Sequence, residues 1–97
     1  MLISKLDEME TTLEECEKYL KTVRESSSKL RLHDYFSLSA SLRRYLSKLG
    51  KLDSVFFDKT YKYYPDLNKR KKSLERDSLA MQSKILRTES HLLNNLF

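Results

Sequence analysis

The sequence predicts an all-α protein in which three long helices form an antiparallel up-down-up bundle with coiled-coil-like packing. The 97 residues include only one Gly and one Pro, too few turn-forming residues for a sheet of many strands. Apolar residues recur at alternating steps of three and four along most of the chain, which is typical of packed helices. The predicted helices cover about 2–26, 34–63 and 66–95, within a single domain.

An apolar seam at heptad spacing defines the first predicted helix. Its steps alternate between four and three, and only the serine among its positions is polar. The positions are Leu2, Leu6, Met9, Leu13, Cys16, Leu20, Val23, Ser27 and Leu30. Because Cys16 belongs to the seam, we expect it to be a small apolar core residue. Serines at 26–28 compete with helical hydrogen bonds, so a turn is predicted within 26–34.

A second seam of the same kind predicts the second helix. Its positions are Tyr35, Leu38, Leu42, Tyr45, Leu49, Leu52, Phe56, Lys59 and Tyr63. Gly50 is the weak point, since it could end one helix and leave Asp53 to cap another. The seam passes Gly50 in phase, so we expect the helix to continue there, at a cost of about 1 kcal/mol relative to Ala.

Pro65 marks the start of the third predicted helix. The residue before a proline is biased away from helical geometry, and Asp66 suits the positive end of the helix dipole. Two apolar lines follow, one of Leu74, Met81, Ile85 and Leu92 and one of Leu79, Leu86 and Leu93. Because the first half of this helix is polar, an alternative is a two-helix hairpin whose third helix stays detached until a partner binds.

Charge is unevenly distributed along the chain. The formal net charge of +5 is the sum of −3 over residues 1–28, +5 over 29–64 and +3 over 65–97. The basic side chains nearest Pro65 are Lys59, Lys62, Lys69, Arg70, Lys71, Lys72 and Arg76, interleaved with Tyr61, Tyr63 and Tyr64. Such a patch suits an acidic protein surface, or nucleic acid whose bases stack on tyrosine. A solvated helix end is the alternative, although the three tyrosines cannot all face one core.

The C-terminal residues are unusually apolar for a chain end, since chain ends are usually polar and frayed. Docking within the bundle, docking on a partner and truncation of a longer helix each account for this pattern. Together with the basic patch, the chain end completes the predicted set of partner contacts. That set is Lys62, Tyr64, Lys69, Arg70, Lys71, Lys72, Arg76, Leu93, Leu96 and Phe97.

Several classes of protein are disfavoured by the sequence. There is no Gly-rich phosphate loop, and His33 and His91 lie far from any cysteine or second histidine, so we predict no catalytic residue, no metal site and no cofactor. A single cysteine allows no internal disulfide. No apolar run approaches the roughly 18 residues of a membrane span. The predicted location is therefore intracellular, either cytoplasmic or nuclear.

These observations favour a non-enzymatic protein–protein interaction module. A domain of this length buries only about 60–65% of its unfolded surface and is marginal alone, so a protein partner or a second copy is expected. The predicted role is a small coiled-coil subunit or adaptor of a larger assembly of the trafficking, cytoskeletal or spindle type. The alternative is a basic helical nucleic-acid-binding module that uses the patch around residues 59–76.

Overall fold

The computed structural model of the protein describes residues 2–26 and 32–94. Within this part the backbone is almost entirely helical and contains no strand, so the all-α class is confirmed. Three α-helices are present: α1 (Leu2–Ser26), α2 (Leu32–Leu52) and α3 (Pro65–Asn94). Two short 3-10 helices, Asp53–Phe57 and Lys59–Tyr63, connect α2 to α3. The result is a slender molecule with dimensions of 52 × 19 × 17 Å.

The apolar seams of the three helices meet in one core. Its buried apolar residues are Leu6, Met9, Cys16, Leu20, Val23, Leu42, Leu49, Val55, Tyr61, Leu74, Met81, Ile85 and Leu92. Burying a side chain of this size contributes roughly 1.5–3 kcal/mol. Of the two apolar lines predicted on α3, only the line that contains Met81 and Ile85 enters this core.

Ion pairs fix the register between α1 and α3. A guanidinium nitrogen of Arg70, Nη2, lies 2.7 Å from Oδ1 of Asp7. Farther along both helices, Nζ of Lys84 lies 2.9 Å from Oε1 of Glu17. Residue numbers therefore rise together along α1 and α3.

α2 makes its contacts with α1 in the opposite order. The rings of Tyr19 and Tyr45 are 5.2 Å apart between centroids, and Nζ of Lys48 lies 3.4 Å from Oε2 of Glu15. A later residue of α2 thus meets an earlier residue of α1. This order of contacts is consistent with the predicted up-down-up arrangement.

The second predicted helix, 34–63, is wrong in its C-terminal third. The α-helix passes through Gly50 without a break and ends at Leu52. The next residue, Asp53, accepts hydrogen bonds from the Ser78 hydroxyl at 3.2 Å and from the Gln82 amide nitrogen at 3.1 Å. These bonds hold the start of the 3-10 segment (residues 53–63) against α3.

Asp58 separates the two 3-10 helices. Its backbone is extended, with φ −75° and ψ 112°, and its carboxylate accepts the Thr60 backbone N–H at 2.9 Å. Hydrogen bonds from the Thr60 side chain and backbone hold the pKa of Asp58 below its ordinary value. An Asp that caps a following turn in this way stops the preceding helical pattern.

The change of helix type also changes which residues are buried. The α-helical seam predicted that Phe56, Lys59 and Tyr63 would continue the core after Leu52. Val55 and Tyr61 are the buried residues, Phe56 is partly buried against the core, and Lys59 and Tyr63 are exposed. A 3-10 helix has three residues per turn, and steps of three from position 52 reach 55, 58 and 61.

Gly50→Ala is expected to raise the free energy of unfolding by about 0.5–1 kcal/mol. Gly50 has no positive φ, and a Cβ added there would have no heavy atom within 4 Å. Alanine therefore fits the same helix and restricts the unfolded chain without a clash. Urea unfolding followed by circular dichroism measures the change, and an unchanged or lower midpoint would contradict this expectation.

Candidate functional site

The first candidate surface is the basic tip, which comprises the exposed side chains around the junction of the 3-10 segment and α3. Its residues are Phe57, Lys59, Lys62, Tyr63, Tyr64, Lys69 and Lys72. The tip is organised by Tyr61, which is fully buried and donates its hydroxyl hydrogen to the Leu2 carbonyl oxygen at 3.0 Å. Burial raises the pKa of the Tyr61 hydroxyl. The expectation that at least one of the three neighbouring tyrosines is exposed is confirmed by Tyr63 and Tyr64.

Two of the basic residues predicted to contact a partner are engaged within the bundle. The guanidinium of Arg70 donates to Glu10 at 2.6 Å and to Asp7 at 2.7 Å, and these carboxylates raise its pKa. Nζ of Lys71 lies 5.5 Å from the centroid of the Tyr61 ring and 3.4 Å from the Phe56 carbonyl oxygen. Arg70 and Lys71 therefore hold the tip together more than they present charge to solution.

The other predicted patch residues are exposed. They are Lys62, Tyr64, Lys69, Lys72 and Arg76. None of the four cations forms an ion pair with an acidic residue in the described part of the chain. Their charge is therefore available to an anionic ligand.

Phe57 of the tip was missed by the sequence analysis, and Tyr63 was named both in the basic patch and in the core seam. The exposed fraction is 82% for Phe57 and 81% for Tyr63. The heptad seam had assigned Tyr63 to the core and had given Phe57 no role. A three-residue period counted from Leu52 would have placed both outside the core.

The second candidate surface is the leucine stripe, which comprises Leu79, Leu86 and Leu93 on α3. Their exposed fractions are 59%, 54% and 45%. With 3.6 residues per turn, side chains seven apart lie on one face of a helix. Leu93 is a predicted contact residue, whereas the predicted contacts Leu96 and Phe97 lie outside the described residues.

The leucine stripe lies on the side of α3 that adjoins α2. Glu89, between Leu86 and Leu93 in sequence, accepts a hydrogen bond from Nη2 of Arg43 at 2.8 Å. Gln82, between Leu79 and Leu86, bonds to Asp53 just after α2. The stripe and the outer side of α2 thus form one continuous surface.

A groove of about 650 Å³ runs along the outer side of the α1–α3 contact. Leu13, Leu74 and Met81 line its floor. The Arg70 and Lys84 ion pairs span it toward its two ends. Its remaining charged residues, Glu14, Asp77 and Arg87, form no ion pair but are of mixed sign, so the groove lacks the excess of positive charge found at the basic tip.

No cluster of three or more His, Cys, Asp or Glu suited to a metal ion occurs within 2–26 and 32–94. His33 and His91 are exposed and lie on different helices. Cys16 is buried in the core, as its place in the seam predicted.

Cys16 is expected to resist alkylation in the folded protein. Burial, reinforced by the charge of Glu15, raises the pKa of the thiol from 9.0 to about 11. At pH 8 the thiolate fraction is then about 100-fold lower than in the unfolded chain. Iodoacetamide labelling measured by mass spectrometry, with the guanidinium-unfolded chain as reference, tests this, and equal rates would contradict it.

The same shift of the Cys16 pKa has a consequence for stability. Because folding raises this pKa, the neutral thiol contributes its full stability below pH 9.0, and that contribution is lost as the pH rises toward about 11.

Comparison with known proteins found no matching family model, no matching curated protein and no matching solved structure.

Across 2–26 and 32–94, none of the helices combines the length and apolarity needed to cross a bilayer.

Proposed function

We propose that this chain is a non-enzymatic protein-interaction module, an up-down-up bundle that acts as a small subunit or adaptor of a larger assembly. The leucine stripe carries this proposal. An exposed apolar line at heptad spacing matches the seam that a further helix covers in a coiled coil. Contiguous exposed apolar patches on soluble domains commonly mark interaction sites.

The proposal is tested by affinity capture from a lysate of the source cells. The baits are the unchanged chain, a triple variant carrying Leu79→Gln, Leu86→Gln and Leu93→Gln, and a control carrying Ile3→Gln. Ile3 is an exposed apolar residue of α1, away from the stripe. We expect a protein that the unchanged chain and the control retain and the triple variant loses. A protein set identical for all three baits, or no retained protein, would reject the proposal.

A second candidate function is binding of single-stranded nucleic acid at the basic tip. It is favoured by the exposure of Phe57 and Tyr63 beside Lys62, Lys69 and Lys72. Exposed aromatic rings stack on bases, while lysines neutralise phosphates.

Salt dependence tests this second candidate. Replacing Lys62, Lys69 and Lys72 by Gln should weaken binding to a fluorescent single-stranded oligonucleotide. It should also flatten the slope of log affinity against log salt by about 2, since each phosphate contact contributes roughly 0.7. A variant with Lys18→Gln, Lys21→Gln and Arg87→Gln, at exposed positions away from the tip, removes the same three charges and controls for net charge. Absence of binding at low salt, or an equal loss in the control, would exclude this function.

A further inference from the structure

We propose that the leucine stripe and the adjoining outer side of α2 bind one acidic amphipathic helix of a partner protein. This inference rests on the interaction function proposed above and adds the chemistry of the partner. The three leucines span 14 residues, or about 21 Å at 1.5 Å per residue. The partner helix must therefore present an apolar face over about four turns.

The surface beside the stripe has room for a helix. On α2, three small residues are exposed between the side that contacts α3 and the outer side of the helix. They are Ala40, Ser47 and Gly50. On α3, Ser83 and Ser90 are exposed on the outer flank of the stripe. Small side chains allow a second helix to approach closely, while the leucines supply the apolar contact area.

Phe36 extends the apolar surface onto α2. Its side chain is exposed near the start of that helix. Arg43, about two turns after Phe36 on α2, pairs with Glu89 on α3. Residue numbers fall along α3 as they rise along α2, so the start of α2 lies at the level of Leu93 and beyond. A partner helix that covers the stripe therefore meets an aromatic side chain at this end.

The charges that flank this surface are basic. Arg44 and Lys51 lie seven residues apart on the outer side of α2, and Lys72 and Arg76 lie beside the stripe on α3. None of the four forms an ion pair with a described acidic residue.

The acidic groups on the same side are largely engaged. Glu89 is paired with Arg43, and its side chain is 15% exposed while that of Arg43 is 72% exposed. Asp53 accepts its hydrogen bonds from Ser78 and Gln82. Glu75 is partly buried and forms no ion pair with a described basic residue, so one unpaired carboxylate stands against the four unpaired cations. The surface therefore presents an excess of positive charge around apolar side chains, which selects an acidic partner.

A second copy of the chain fits this surface poorly. Symmetric pairing of two stripes would bring the basic flanks of both copies together. On α1, acidic residues such as Glu8, Glu14 and Glu25 face solvent. The large exposed apolar residue of the described part of α1 is Ile3, so this helix presents no line of leucines. No described surface of the chain thus offers both the acidic charge and the leucine line that the site requires.

A displayed library of 21-residue helices tests the inference on the full chain. Each helix carries Leu or Ala at its core positions and a random choice of Glu or Lys beside them, so that selection reports the preferred charge. We expect the retained helices to be enriched in Glu. Purified helices should bind at least about tenfold more weakly to Leu86→Gln, about 1.4 kcal/mol, and should bind Ile3→Gln, changed at an exposed residue of α1, with unchanged affinity.

The remaining outcomes overturn the acidic-helix inference. They are enrichment of Lys, an even mixture, no retained helix, or binding that is insensitive to Leu86→Gln. Sedimentation of the chain alone provides a further check, since a dimer abolished by Leu86→Gln would identify a second copy as the occupant. The interaction function survives each of these results if lysate capture still depends on the stripe, and it fails if that capture fails too.

Discussion

Replacing Tyr61 by Ala is expected to lower the free energy of unfolding by about 3–5 kcal/mol. The side chain is fully buried at the end of the bundle, where its ring lies beneath Nζ of Lys71. Its hydroxyl bonds to the Leu2 carbonyl oxygen at 3.0 Å. The substitution therefore removes the contact between the 3-10 segment and α1 and leaves a cavity.

Two further variants separate the contributions at this position. Tyr61→Phe keeps the ring and should cost only about 0.5–1.5 kcal/mol for the lost hydrogen bond. Tyr63→Ala, which removes the same side chain from an exposed position, should change stability by less than about 0.5 kcal/mol. Urea unfolding followed by circular dichroism gives all three values. Equal losses for the Ala variants at 61 and 63 would show that the described packing is wrong.

Ile85→Ala is expected to cost about 2–5 kcal/mol, whereas Leu86→Ala should cost less than about 0.5 kcal/mol. The two residues are adjacent in sequence, but Ile85 is 1% exposed and Leu86 is 54% exposed. Denaturant unfolding of both variants measures the contrast directly. A similar loss for both variants would mean that the leucine stripe is covered within the folded chain.

Partner binding should show the reverse order. Leu86→Ala should remain folded and lose the partner retained by the unchanged chain, because its side chain faces solvent on the proposed docking surface. Ile85→Ala should retain the partner under conditions in which it stays folded. Retention by Leu86→Ala would argue against the stripe as the contact surface.

The heptad pattern was a sufficient guide to the core only where the backbone is α-helical. Leu6, Met9 and Leu20 of the first seam, and Leu42 and Leu49 of the second, are buried as their spacing predicts. Beyond residue 52 Phe56 still packs against the core, but the seam is wrong at Tyr63, which is exposed. Periodicity cannot reveal a change from 3.6 to 3.0 residues per turn when both periods pass through apolar residues. The 3-10 backbone of this segment is held by the hydrogen bonds of Asp53 with Ser78 and Gln82 and of Asp58 with Thr60.

The candidate surfaces were predictable in part. The sequence located the basic cluster near Pro65, but it gave no sign that Arg70 pairs with Asp7 and Glu10, since those residues lie far away in the chain. It also showed two apolar lines on α3 without deciding which faces the core. That choice depends on where α1 and α2 pack, which is a property of the whole bundle.

The contacts between α1 and α3 have a consequence for the order of folding. Arg70 and Lys84 reach partners 60 to 67 residues away in sequence, whereas Gln82 reaches Asp53 over 29 residues. The contacts of α2 with α1 are equally local, since Tyr19 and Tyr45 are 26 residues apart. Closing a longer loop costs more chain entropy, so the contacts of α2 with its two neighbours form before those between α1 and α3. Weakening the α1–α3 contacts should therefore accelerate unfolding more than it slows folding.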